Sequence, residues 1–414
     1  MSQTVLHVLS QRPSFTGSGI TLDALVRHAQ AAGWDQHVVV GTPGDDAAPE
    51  VGGLSQDRIH PLRFATKSKT DSADVPFAVP GMSDVMPYPS TRFSAMTSAQ
   101  VKTYKDSWTD HLRRIVSRVR PDVIHGHHVW LLSSLLKDVA PDIPVVLHGH
   151  GTGLRQLQLC PKLGEHARAG CQHVERLVVL HTLHAQEYSR WLGLDLQRIR
   201  VVGAGYREDL FHRRGRSDEK DATILYAGKI SRAKGLPWLL DAMKALTARI
   251  PSAVLHIAGS GAGKEADTLR ERIVSMGSSA VLHGRVDQPQ LANLMRQSAL
   301  FVLPSLYEGL PLVLVEACAC GCRVVSSELP GIVEGICPHL GDAVNLVPLP
   351  PLKGVDEPEA SAAPDFARRL SAAMADALAK PPPQPCDLDD RLAAFTWQAV
   401  YQRINAIWHE VTAG

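Results

Sequence analysis

An excess of charge of either sign is missing from this chain. Its 414 residues carry 43 Lys and Arg against 42 Asp and Glu, a formal net charge of +1. Composition therefore supplies no bulk attraction to nucleic acid, and a nucleic-acid partner is not expected. Cysteine is scarce and odd in number: seven, at positions 160, 171, 318, 320, 322, 337 and 386. That spacing excludes a disulfide framework and fits a reducing compartment. No apolar run reaches the roughly 18 residues that a membrane-crossing helix needs. The opening Met1–Ser10 has neither the basic start nor the long apolar stretch of a secretory signal, and it reads as a first strand. The expectation is a cytoplasmic protein. Self-similarity at a period of about 20–50 residues is absent as well, which excludes solenoids.

What is present is ordinary for a globular protein: 44% apolar and 21% charged residues. The length exceeds one core, since domains usually run to roughly 100–200 residues. Short aliphatic runs at Val5–Leu9, Val38–Val40, Val123–His125, Val145–Leu147, Leu177–Leu180 and Ile199–Val202 alternate with helical patterns at Leu22–Ala32 and Trp108–Arg118. The alternation restarts at Thr223–Ala227 and continues through Val254–Ala258, Ala280–Leu282, Leu300–Leu303 and Arg323–Ser326. Strand–helix alternation predicts parallel sheets covered on both faces, and two runs predict two doubly wound α/β domains. The charged, apolar-poor stretch Arg213–Asp221 reads as a linker.

The predicted boundaries are an N-terminal domain over 1–204 and a C-terminal domain over 205–392. A terminal helix over 393–414 is expected to pack back on the first domain. Residues 66–103 interrupt the first domain as an insertion, either an ordered surface excursion or a lid or acceptor-binding insertion. Proline-rich stretches at 348–364 and 380–387 read as surface connections.

In open parallel sheets, ligands bind beyond the carboxyl ends of the strands. Three places answer to that rule. Thr16-Gly17-Ser18-Gly19-Ile20 follows the first strand, where glycines let backbone N–H groups approach an anion; a plain tight turn reads equally well. Tyr226 through Leu236 follows the first strand of the second domain and holds Lys229 and Lys234 before a helix. Two ammonium groups there suit a diphosphate, unless both are simply solvated. In Leu303–Ala317, Glu308 ends an apolar strand and Glu316 lies two turns into a very apolar helix. A carboxylate there needs a partner, either a ligand's hydroxyl pair or an arginine.

These residues carry a resemblance. Glu308 to Glu316 resembles the Glu-x7-Glu motif of the retaining, nucleotide-sugar-dependent glycosyltransferases of family 4. Ala317-Cys318-Ala319-Cys320-Gly321 is similar to its continuation, and Gly228–Gly235 to the family's phosphate segment. Pro121-Asp122-Val123-Ile124-His125 resembles an internal strand, and Val145–Gly151 the strand that delivers an active-site histidine. The resemblance implies the GT-B fold, two Rossmann-like domains facing across a cleft, and transfer of a sugar from a nucleotide-diphosphate sugar, UDP-linked on family frequency. It implies that Glu316 holds ribose hydroxyls, that Lys229 and Lys234 neutralise the diphosphate, and that Gly17 or Gly19 brings amides to it. Glu308 with the amides of Gly309, Leu310 and Leu312 would meet donor sugar and phosphates, and Arg285 and Val286 the base. The implied catalytic set is His150, Lys234 and Glu308, with His148 as the fallback for His150.

The resemblance implies no metal, no other cofactor, and a small-molecule, glycan or lipid acceptor. Two departures stand out: Lys229 replaces an arginine and loses its bidentate fork, and Gly203-Ala204-Gly205 replaces a Pro-Asn-Gly. Two other readings remain, a GT-B nucleotide-sugar epimerase or hydrolase and a catalytically silent nucleotide-sugar binder. His125, His127 and His128 read as strand-end residues lining the site, because no carboxylate or cysteine lies near them in sequence. Cys318, Cys320 and Cys322 read as packing thiols. Arg113, Arg114, Arg118 and Arg120 read as a solvated face or as a contact with an acidic acceptor or an anionic membrane, a peripheral contact at the inner membrane face.

Overall fold

The structure is a computed structural model that describes all residues except 1, 14–15, 45–48, 67–72, 84–85, 87, 217–221, 355, 360, 382–384 and 414, and all but the side chains of 385–387. The chain divides into two compact units: residues 1–204 with 397–414, and residues 205–396. The predicted linker falls partly on 217–221 and the Pro381–Pro383 run partly on 382–383, outside the described residues. Among the described residues no helix is long and apolar enough to cross a membrane.

In the first unit, seven parallel strands form one sheet. They are β1 (Thr4–Leu9), β2 (Asp35–Pro43), β3 (Ile59–Phe64), β6 (Val123–His127), β7 (Val145–Gly149), β8 (Arg176–Val179) and β9 (Ile199–Val201). A two-residue pair, β4 (Pro80–Gly81) with β5 (Thr91–Arg92), stands apart. The sheet order is β3-β2-β1-β6-β7-β8-β9, so the winding direction reverses between β1 and β6. Side chains alternate across the sheet as the pleat demands. Leu6, Val8, Ile124, Val145, Leu147, Leu177 and Val179 face the helix Ser98–Val119 and its neighbours. Val5, Val123, Val146 and Val178 face the helices Gly17–Ala31 and Trp397–Thr412. That second face also carries His7, His125 and His148, all buried.

The sequence reading missed β3, an edge strand whose Ile-His-Pro-Leu-Arg-Phe run alternates instead of being continuously apolar. The helix expected at Trp108–Arg118 begins ten residues earlier, at Ser98, behind a Thr97/Gln100 capping box, so it absorbs the end of the 66–103 insertion. The described part of that insertion packs inward: Val79, Met82, Tyr88 and Phe93 are buried in the same core as Phe64 and Trp108. Arg113, Arg114, Arg118 and Arg120 are all exposed. Arg118 also bonds His60 Nδ1 at 2.9 Å.

The helix Pro161–Cys171 meets the short turn Ser133–Leu135 so closely that a Cβ on Gly170 would stand 1.9 Å from the Ser134 carbonyl oxygen. Gly170→Ala should therefore push two backbones apart. A loss of about 3 kcal/mol, of the size found for core overpacking, is expected in urea unfolding. A midpoint matching the wild type would show that this crossing is looser than described.

In the second unit, β10 (Thr223–Ala227), β11 (Val254–Ala258), β12 (Ala280–Gly284), β13 (Leu300–Leu303), β14 (Arg323–Ser327) and β15 (Val344–Val347) form a parallel sheet ordered β12-β11-β10-β13-β14-β15. Here the winding reverses between β10 and β13. β15, Val-Asn-Leu-Val at the sheet edge, is too short and polar to have been read from the sequence.

Candidate functional site

The two switch points are where a doubly wound sheet leaves a crevice beyond its strand ends. In the second unit, β10 runs into Gly228-Lys229, and the chain returns to start the helix Leu236–Thr247 at Gly235. Gly235 has φ +72°, and a Cβ there would lie 1.8 Å from the Pro304 carbonyl oxygen. Only glycine lets the loop after β10 lie against the loop after β13. A hydrogen bond from Leu306 N–H to the Ala233 carbonyl, 3.0 Å, ties them.

That approach brings Lys234 onto Glu308: Nζ donates to Oε1 at 2.6 Å, and Ser305 Oγ donates to the same oxygen at 2.8 Å. Both side chains are mostly buried, 24% and 19% exposed. The sequence reading gave each a separate duty, whereas the structure pairs them. An ammonium has three N–H donors, so Lys234 keeps capacity for an anion beside Glu308. Lys229 is exposed one residue past Gly228. Its carbonyl accepts from Tyr226 Oη at 2.6 Å, which fixes the backbone at that point.

The helix Leu312–Ala319 starts at Pro311 without a side-chain cap. The Leu312 N–H is taken by the Leu310 carbonyl, 3.0 Å, so it is not available to a ligand as the resemblance implied. Gly309 and Leu310 donate to no acceptor among the described residues. Glu316, one turn on, has no ion pair among the described residues, so the arginine partner left open by the sequence is not there. Burial pushes its carboxyl up to about 7. Arg285 is exposed and Val286 half-buried, both just past the edge strand β12, two strands from the switch point.

In the first unit, the loop after β1 meets the end of β6. Gln11, 2% exposed, donates to Thr16 Oγ1 at 2.9 Å and Ser18 Oγ at 2.8 Å. Ser18 Oγ bonds His128 Nε2 at 3.0 Å, and His128 Nδ1 bonds Thr152 Oγ1 at 2.9 Å. Gly19 donates its N–H to the Thr16 cap, 3.3 Å, which removes it as an amide for a diphosphate. Gly17 is exposed with open space around it. Gln11, His128 and Thr152 were missed as a network. Their shared signal is position, since each lies within three residues of the end of β1, β6 or β7.

His150 is half-buried, with Nε2 3.3 Å from His127 Nδ1, and it stacks on His148 at 4.2 Å. Burial, then the neighbouring imidazoles, hold it below the ordinary histidine range, so it is neutral at pH 7. His148 is 1% exposed and does not reach an open surface. The sequence grouping of His125, His127 and His128 is corrected. His128 adopts φ +71° and turns to Ser18 and Thr152. His148, from the adjacent strand β7, takes its place beside His125 and His127, with ligand atoms within 4.8 Å of one another. The partner came from a neighbouring strand, which spacing along one strand does not reveal.

The domain described as "Glycosyl transferase 4-like domain" matches residues 16–205, and "Glycosyl transferases group 1" matches residues 208–344. A glycogen synthase of Mycobacterium tuberculosis is 28% identical over 230 residues, 52% of this chain and 54% of that protein. The match thus spans about half the length of that relative. Sucrose-phosphate synthase from Thermosynechococcus elongatus superposes with a TM-score of 0.66 at 17% identity, covering 99% of this chain and 100% of that one. HepE from Anabaena, in complex with UDP-glucose, gives 0.64 at 15% identity over 98% and 99% of the two chains. The two parallel-sheet Rossmann-like units and these matches together support a glycosyltransferase of the GT-B fold.

Proposed function

We propose that the chain is a retaining glycosyltransferase of family 4, moving a sugar from a UDP-sugar to a small-molecule, glycan or lipid acceptor. The observation that carries the reading is the pairing of Lys234 with Glu308 at the switch point of the second unit, followed by the unpaired Glu316. Breaking the bond between the sugar C1 and the diphosphate oxygen builds negative charge on the leaving group. Fixed cations and amides stabilise that charge best, because they need no reorganisation as it forms. Lys234 and Lys229 supply the cations, and the N–H groups of Gly309 and Leu310 the amides. Glu316 accepts both ribose hydroxyls, which satisfies a carboxylate that is otherwise costly to bury.

Retention follows a front-face route. The acceptor oxygen attacks C1 from the side the diphosphate leaves, and the departing phosphate oxygen takes the acceptor's proton. His150, neutral, stands near the transferred sugar as a hydrogen-bonding group, not a cation. No step is routed through a metal. UDP is favoured by the UDP-glucose bound to HepE, which shares the fold. The proposed location is the cytoplasm, with the exposed Arg113 and Arg114 available for contact with the inner membrane face.

The test is a thermal-shift screen against UDP, GDP, ADP, CMP and TDP, followed by incubation with the stabilising nucleotide's glucose and galactose forms. One diphosphate at 100-fold excess over its Kd should stabilise the fold by about 2.7 kcal/mol. A transferred sugar whose anomeric configuration matches the donor confirms the reading. Free sugar or an isomerised donor without acceptor dependence would support the hydrolase or epimerase. Binding without turnover would support a silent binder, and no response to any diphosphate would remove the donor reading altogether.

A further inference from the structure

Three imidazoles share one buried face of the first sheet. His125 and His127 stand two apart on β6, and His148 lies directly across from His127 on β7. All three are at most 1% exposed. His125 Nε2, His127 Nε2 and both ring nitrogens of His148 lack a hydrogen-bond partner among the described residues. A buried polar atom left unpaired costs roughly 1–3 kcal/mol, so four in one cluster call for an occupant. An ion would satisfy several of them at once. Nitrogens bound at about 2.1 Å to a tetrahedral ion lie roughly 3.4 Å apart. Ligand atoms already within 4.8 Å of one another reach that spacing with small ring rotations.

We propose that His125, His127 and His148 bind one transition-metal dication, Zn2+ foremost, as a three-histidine centre joining β6 to β7. Imidazole ligands without thiolate or carboxylate favour zinc, copper and nickel over magnesium or calcium. A water or hydroxide completes the fourth position, and hydroxide halves the buried charge. Burial holds all three rings well below the ordinary histidine range, so they are neutral and their lone pairs are available.

The proton positions follow. His127 ligating through Nε2 carries its proton on Nδ1, which donates to His150 Nε2, 3.3 Å away, and so orients that ring. His125 differs. Its Nδ1 accepts from Trp408 Nε1 at 2.9 Å, so in the metal-free chain the proton sits on Nε2. Ligation through Nε2 moves that proton to Nδ1 with no net gain or loss, and Trp408 loses its acceptor. Metal occupancy is thereby coupled to an indole on the helix Trp397–Thr412.

The test strips the full chain with a chelator, loads it with Zn2+, removes free metal by gel filtration and measures bound zinc. His148→Leu and His283→Ala are treated alike. The latter dismantles the His256–His283 pair on the second unit, whose facing nitrogens are 2.8 Å apart and could also take zinc. One zinc per chain is expected in the wild type and in His283→Ala, and none in His148→Leu. Loading should shift tryptophan emission and raise Tm in the first two only. Metal-free His148→Leu should be at least as stable as metal-free wild type, since it removes two unpaired nitrogens.

Retention of zinc by His148→Leu at the wild-type level would overturn the proposal. So would a wild-type chain that holds no Zn2+, Cu2+ or Ni2+ after loading. If His148→Leu does not fold, Co2+ loading of the wild type decides. A ligand-field spectrum of four-coordinate, nitrogen-rich cobalt is expected, and its absence overturns the assignment.

Discussion

Glu316→Gln is expected to melt higher than the wild type at pH 8 while losing all stabilisation by UDP. Burial lifts the Glu316 carboxyl to about 7, above the ordinary 4.5, so the folded chain binds that proton more tightly than the unfolded one. Below pH 4.5 both states are protonated and the residue costs nothing. As pH rises through 4.5 the unfolded state ionises first, and stability falls until the folded carboxyl follows near 7. Above that the penalty is constant, at roughly 3 kcal/mol for a shift of this size. Glutamine keeps the shape and cannot ionise, so its Tm should be flatter across pH 5–8. The same replacement turns one ribose-accepting oxygen into an N–H2 donor, which faces a hydroxyl badly. Thermal melts at pH 5 and 8, with and without UDP, read both effects. A wild-type Tm no more pH-dependent than that of Glu316→Gln would mean the carboxylate has a partner in solution. Undiminished UDP binding would remove Glu316 from the donor site.

Lys234→Ala should cut the rate of sugar transfer by about 10²–10³-fold, the loss seen when one preorganised charge-stabilising group is removed. Lys234 is held by Glu308 at 2.6 Å and by a loop whose entry depends on Gly235, so it reorganises little as the diphosphate leaves. Since the charge grows in the transition state, the loss should fall mainly on kcat, with KM moving less. Lys229→Ala is the comparison: its side chain is exposed, water screens it, and a smaller loss is expected. Glu308 left without its ammonium costs some stability, so melts must accompany the rates. A kcat within threefold of wild type would show that Lys234 serves Glu308 and not the donor.

The strands that flank the switch points were legible because each is a continuous aliphatic run, as strands covered on both faces must be. Edge strands β3 and β15 were not, because one side of each meets solvent and their pattern breaks. Within the candidate site, residue types and order were readable: Lys234, Glu308 and Glu316 lie where the strand ends place them. Pairing was not. The contact between Lys234 and Glu308 joins residues 74 positions apart, and the capped amides of Gly19 and Leu312 depend on turn geometry that residue type does not encode. The His125–His127–His148 group spans two strands and was missed for the same reason. Only the β6–β7 register, His127 opposite His148, assembles it.

The helix Trp397–Thr412 belongs to the first unit although the whole second unit precedes it in the chain. On the ribosome, residues 1–204 emerge with one sheet face, including Val5, Val123, Val146 and His125, still lacking the cover that Val400, Ile404 and Trp408 provide. The second unit has all of its own core and can close while it is being synthesised. The first must wait with an apolar surface open until residues 397–412 have been made, so nascent chains should engage holdase chaperones at the first unit, and a stop codon before residue 397 should leave a chain whose earlier-made unit is the less stable one.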